Sequence, residues 1–130
     1  MRKLVGAGLV LALFSGGMSM AEVPVEVSKL AGSKISLYLH PFLTAEELAT
    51  LRLVASNEDA LKLFVPSNKG FAAMAAAPDE GFLRNGQPVA SAFAISDLPN
   101  AETAAAQALA GCEKARKGGA ACVIILAVGR

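Results

Sequence analysis

Tryptophan is absent from the 130 residues, and the chain carries one tyrosine, one histidine and two cysteines. Each scarcity removes a class of chemistry. One histidine and two cysteines cannot close a structural zinc site without a carboxylate. Nine residues also separate Cys112 from Cys122, unlike the close-spaced pairs of zinc sites. No metal is therefore expected. Aromatics make up 5% of the chain, and none flanks the acidic pairs Glu46-Glu47, Glu58-Asp59 and Asp79-Glu80 in the way a sugar-cleaving site would require. There is no Gly-x-Ser-x-Gly elbow for a serine nucleophile, no Walker loop for nucleotide phosphates and no Cys-x-x-Cys at a helix start. The Gly118-Gly119 pair follows a helix, where the dipole is negative and repels phosphate. No cofactor and no catalytic residue is assigned from the sequence. Clusters of lysine and arginine are also missing, so a nucleic-acid partner is not expected.

What is present begins with an address. Arg2 and Lys3 precede an apolar stretch from Leu4 to Phe14, and Ser19-Met20-Ala21 places small residues at the −3 and −1 positions of a cut. This is the layout of a secretory signal peptide, residues 1–21. The apolar run is too short for a spanning helix, and no other run approaches the ~20 residues required. Cleavage would leave residues 22–130, enough for a single domain. Arg2 and Lys3 leave with the signal, so 10 basic residues face 11 acidic ones. The expected location is periplasmic or secreted. In an oxidising compartment two cysteines point to one disulfide, Cys112–Cys122.

The mature part divides into short elements. Val23, Val25 and Val27 alternate with Pro24, Glu26 and Ser28, compatible with a short edge strand. Lys34 to His40 alternates cleanly and predicts a strand, with Ile35, Leu37 and Leu39 on one face and Ser36, Tyr38 and His40 on the other. Thr44 and Glu47 form a capping box, closed over by Leu43 and Leu48, which starts a helix over 45–55 anchored by Leu48 and Leu51. Residues 60–65 are predicted as a strand with Leu61, Leu63 and Val65 on one face; a short helix begun by Asn57 is the competing reading. Phe71 to Ala77 follows as its hairpin partner. Asn85-Gly86 marks a tight turn, and Val89 to Ile95 reads as a further strand. Asn100 caps an alanine-rich helix with Ala101, Ala105, Ala108, Leu109 and Cys112 inward, a Glu113–Lys117 pair outward and Gly118-Gly119 as its stop. Ala121 to Val128 is apolar and β-branched, predicting a central strand buried on both faces.

The expected fold is α+β: one sheet of about four or five strands, antiparallel or mixed, with two helices packed on it and one disulfide. Small alanine side chains would let helix and sheet approach closely. The disulfide should add about 2.5–3 kcal/mol by chain entropy. Cys112 sits near a helix C-terminus, where a thiolate is disfavoured, which fits a structural bond rather than a redox one.

The segments GFAAMAAAPDEG, ASAFAI and NAETAAAQALAGCEKARKGGAACVIILAV, with HPFLTAEELATLRLV and LFVP before them, resemble small exported alphaproteobacterial proteins of unknown function. The resemblance implies an alanine-rich strand, a cysteine-bearing helix and a cysteine-bearing strand. Some proteins of that kind carry the name 5-aminolevulinate synthase, which this sequence does not support. Such an enzyme resembles a large pyridoxal-dependent fold with phosphate-gripping loops. Two functional readings remain. The first is a non-catalytic binding or interaction domain with a protein or small-molecule partner. The second is a small hydrolase-like enzyme using His40 and Tyr38, which requires a pocket holding His40 and an acid within hydrogen-bond reach. In either case the function is expected on the polar strand face or in the loops around Asp79 and Asn85.

Overall fold

The protein is described by a computed structural model covering residues 23–67 and 69–130. The export-signal expectation over 1–21 lies outside the described residues.

The elements run β1 (Val25–Leu30), β2 (Ser33–Tyr38), α1 (Ala45–Ser56), α2 (Glu58–Phe64), β3 (Phe71–Ala76), β4 (Leu83–Arg84), β5 (Gln87–Pro88), β6 (Phe93–Leu98), α3 (Ala101–Ala115) and β7 (Val123–Gly129). The fold is α+β, as expected. Five strands form one sheet in the order β1-β2-β7-β3-β6, with every neighbouring pair antiparallel. β4 and β5 form a separate small hairpin around Asn85-Gly86. The apolar C-terminal strand is central, flanked by β2 and β3. The valine-alternating lead-in is the edge strand β1, begun just after Pro24, where the missing N–H costs no ladder bond.

Among the described residues there are three helices rather than two. Residues 58–64 are helical, not extended. Asn57 caps them, its Oδ1 accepting from the Ala60 N–H at 2.9 Å, and Glu58 and Asp59 occupy the first turn. Burial gives the physical reason. A strand would bury Leu61 and Leu63 together, but Leu61 is 4% exposed and Leu63 87%. Consequently β3 finds its partners in β6 and β7, not in the preceding segment. The strand expected over 89–95 is displaced to Phe93–Leu98, because Val89 extends the small hairpin, its N–H donating to Phe82 O, and the chain turns again at Ala92.

The sheet is covered on two faces. On one, Ile35, Leu37, Ala72, Ala76, Leu126 and Val128 pack with Leu51 of α1 and Leu61 of α2. Ile125 joins them because the β3–β7 register skips it, a bulge that turns consecutive residues toward the same core. On the other face, Ala73 and Ala75 meet Ala104, Ala108 and Cys112 of α3. The inward stripe of α3 is thus shifted from the expected one: Ala104 is buried and Ala101 exposed. Alanine on both surfaces permits the close approach, and larger side chains would overpack it. α3 lies over β3, β6 and β7. The β1–β2 end of the same face carries Val25 and Val27 at 44% and 56% exposure.

Candidate functional site

Several acidic residues, Glu47, Asp79, Glu80 and Glu113 among them, are engaged in holding the fold. Glu47 is fully buried. Its Oε1 accepts from the Thr44 N–H at 2.9 Å while Thr44 Oγ1 accepts from the Glu47 N–H, completing the expected capping box. Its Oε2 accepts from the N–H groups of Phe82 and Leu83 at 2.8 and 2.9 Å, and Arg84 Nη1 lies 2.9 Å from Oε1. Burial alone would raise this carboxyl's pKa; the N–H groups of Thr44, Leu83 and Phe82, with Arg84, outweigh it and hold the group below its ordinary value.

Asp79 and Glu80 hold the loop after α3. Asp79 Oδ2 accepts from the Ala120 N–H at 3.2 Å, and Glu80 Oε2 accepts from the Lys117 N–H at 2.8 Å. Glu80 Oε1 takes the Ser91 hydroxyl at 2.5 Å. These bonds, led by that of Ser91, hold Glu80 below its ordinary pKa. Gly119 is required where it stands: its φ is +79° and a Cβ would come within 1.7 Å of Asp79 Oδ2. Glu113 behaves similarly. The expected pair with Lys117 does not form, because α3 ends at Ala115 and Arg116 is already extended. Glu113 instead pairs with Arg116 at 2.5 Å and accepts from the Cys122 N–H at 2.7 Å, and both bonds lower its pKa, that of Arg116 most.

Cys112 and Cys122 are joined, with their Cα atoms 6.2 Å apart. Both are buried, one at the end of α3 and the other just before β7. The bond therefore clips the helix to the central strand, and no free thiol remains among the described residues. His40 sits between the rings of Tyr38 and Phe42, at centroid distances of 6.4 and 5.5 Å. Its Nε2 is 2.9 Å from the Ile124 carbonyl. Against a carbonyl the nitrogen must donate, so Nε2 carries the hydrogen. The ring ties the end of β2 to the start of the central strand. Its hydrogen-bond partner is a carbonyl, not the acid that the catalytic reading required.

Among the described residues, three clefts are compared for structural and uncommitted polar groups. A cleft between β1 and α1 holds the exposed Glu26–Arg52 ion pair, 2.7 Å. A second, beside the small hairpin, is lined by Asp79, Glu80, Arg84 and Ser91, all engaged as described above. The third, of about 240 Å³, opens where α3 stops short of β2. Lys34, Ser36 and Tyr38 of β2 form one wall, Phe71 and Ala105 another, and Arg130 stands at the end. Arg130 Nη1 donates to Ser33 Oγ at 2.9 Å, which fixes the guanidinium. Among the described residues, Lys34 Nζ, Ser36 Oγ and the Tyr38 hydroxyl make no hydrogen bond. The polar face of the Lys34–His40 strand, singled out from its alternation, therefore supplies most of the polar wall. Phe71 carried no signal as a site residue, since it reaches the cleft only through the sheet order. Asn85 lies at the tip of the small hairpin and lines none of these clefts, although the adjacent Arg84 lines the second.

Among the described residues no group of three or more histidine, cysteine, aspartate or glutamate side chains is placed to hold a metal ion, and no helix is long and apolar enough to cross a membrane. Comparison with known proteins finds no matching family model, curated protein or solved structure.

Proposed function

We propose that this is an exported, non-catalytic binding domain whose ligand occupies the cleft between β2 and α3. The observation that carries the reading is a concave site whose polar groups Lys34, Ser36 and Tyr38 make no side-chain hydrogen bond among the described residues, whereas Glu47, Glu80 and Glu113 are used for stitching. A concave site with an apolar floor and a few convergent polar groups is the usual form of a small-molecule site. Export is supported by the disulfide and by the arrangement of residues 1–21. His40, bonded to a carbonyl, supports a structural role and not the hydrolase alternative.

Two measurements test this reading. The full chain expressed in a Gram-negative host should yield a periplasmic product beginning at Glu22 and lacking free thiols by mass spectrometry; a cytoplasmic product beginning at Met1 with two thiols overturns the export reading. Amide NMR spectra of the exported chain, titrated with a library of small metabolite-like compounds, should show shifts clustered at Lys34, Ser36, Tyr38, Ala105 and Gly129. A library whose binders all shift residues elsewhere, or that contains no binder, overturns the cleft as the binding site.

A further inference from the structure

We infer that β1 is a pairing edge and that its occupant is a second copy of this chain, joined antiparallel through Val27. This goes beyond the cleft and does not depend on it. Among the described residues β1 is paired on one side, by β2. Its register with β2 runs unbroken over six residues. The Leu39 N–H donates to the Pro24 carbonyl at 2.8 Å, which sets the phase of that ladder. In an antiparallel pair, residues bonded to the neighbour alternate with residues whose N–H and C=O point away. Val25, Val27 and Lys29 are therefore the residues whose backbone groups face the open edge. Val25 and Val27 are exposed, on the face that α3 leaves uncovered at this end of the sheet. The opposite edge is closed to such pairing. β6 carries a register shift against β3, Asp97 stands at a φ of +65° and takes the Ser67 hydroxyl, and α3 follows directly. Bulges and charges of this kind keep natural edges from adding strands. β1 has no bulge. Its one charge without a partner among the described residues, Lys29, lies near the end of the strand.

A twofold axis through Val27, perpendicular to the sheet, pairs the outward residues only with one another. Val27 lies opposite the partner's Val27, and Val25 opposite the partner's Lys29. Every outward N–H and C=O of these residues then gains a bond. The charges select this register. Each Glu26 faces the partner's Ser28, and the two Lys29 side chains stand at opposite ends. Sliding the copies by two residues one way sets Glu26 against the partner's Glu26, a like-charge pair that is destabilising. Sliding them the other way sets Val25 against the partner's Ala31, where a φ of +53° has already turned the chain out of the strand. A second copy is favoured over a foreign strand because β1 supplies its own complement in phase, register and charge. The resulting contact is isologous and closes at two copies, the commonest symmetry of homo-oligomers. One strand from each copy is a small interface, so the association belongs to the weak, micromolar class.

Sedimentation equilibrium of the exported, oxidised chain, from about 1 μM to about 1 mM, should show a monomer–dimer equilibrium. The amides of Val25, Val27 and Lys29 should gain hydrogen-exchange protection as the concentration rises. Val27→Pro removes an N–H that bonds nothing inside the chain, so it should abolish the dimer and leave the far-UV circular dichroism unchanged. V27K and V27E should each weaken association at least about tenfold by opposing like charges, and an equimolar mixture of the two should restore a dimer. Recovery in the mixture is the signature of Val27 facing itself. Should Val27→Pro not fold, the two charged variants, placed at an exposed position, carry the same test. A chain that stays monomeric throughout overturns the proposal and leaves the edge to a strand from another protein. A dimer that the Val27 variants leave intact overturns β1 as its interface. Loss of the dimer in V27K and V27E without recovery in their mixture overturns the register.

Discussion

A glutamate three residues after Thr44 marks a helix start in the sequence, but the capping box needs only one of Glu47's two carboxylate oxygens. The other accepts two backbone N–H groups from Phe82 and Leu83, about 35 residues away in the chain. Glu47→Gln keeps the shape but turns one acceptor into a donor facing other donors. It is expected to cost about 2–4 kcal/mol in denaturant unfolding, because a buried charge-assisted network loses an acceptor. A loss below about 0.5 kcal/mol, the size of an ordinary surface change, would contradict the network. The pH dependence has a defined sign. Glu47, Glu80 and Glu113 are all held below their ordinary value of 4.5. Carboxylates with depressed folded values contribute stability that is present above the unfolded value and lost as pH falls through the folded one. Stability should therefore decline as pH drops below 4.5, and the decline should be shallower in Glu47→Gln, whose amide does not titrate. Identical slopes in the two proteins would show that Glu47 is not depressed. Half of this residue's role was legible, since the box is complete within four positions; the other half depends on a loop that only folding brings near.

At the scale of elements, α2 is the instructive case. An apolar alternation over six residues fits a strand and one helical turn almost equally well. Asn57 at the N-cap and the acids after it favoured helix, and packing against α1 and the sheet decided it. The two readings differ most at Leu63. Leu61→Ala should cost about 2–4 kcal/mol, the range for a buried leucine. Leu63→Ala should stay within about 0.5 kcal/mol, as exposed substitutions do. Comparable losses at both sites, measured by urea unfolding, would restore the strand. α3 illustrates a smaller displacement. Its start, its cap and its approximate end followed from Asn100 and the Gly-Gly pair. Its buried stripe was misplaced because alanine all round gives hydropathy no clear face. The sheet chose Ala104, Ala108 and Cys112 by where β3 and β7 stand.

For the molecule as a whole, the disulfide joins α3, which covers one face of the sheet, to the residue just before the central strand, which packs into the cores on both faces. The paired substitution of Cys112 and Cys122 by alanine should lower unfolding stability by about 2.5–3 kcal/mol, through the chain entropy regained by the unfolded state. Unchanged stability would mean that the acidic stitches at Glu80 and Glu113 alone constrain that loop. The sequence by itself determined the α+β class, the capped starts of α1 and α3, the hairpin at Asn85-Gly86, the central place of the last strand and the pairing of the two cysteines. Each rests on signals that are local, or, for the cysteines, on there being only two. The tertiary structure alone decided the strand order, the placing of α1 and α2 on one face and α3 on the other, and the gap beside β2 that forms the cleft. Those outcomes follow from contacts between residues dozens of positions apart. Ser36 and Ala127 reach the same cleft only because β2 pairs with β7, and no local pattern records that pairing.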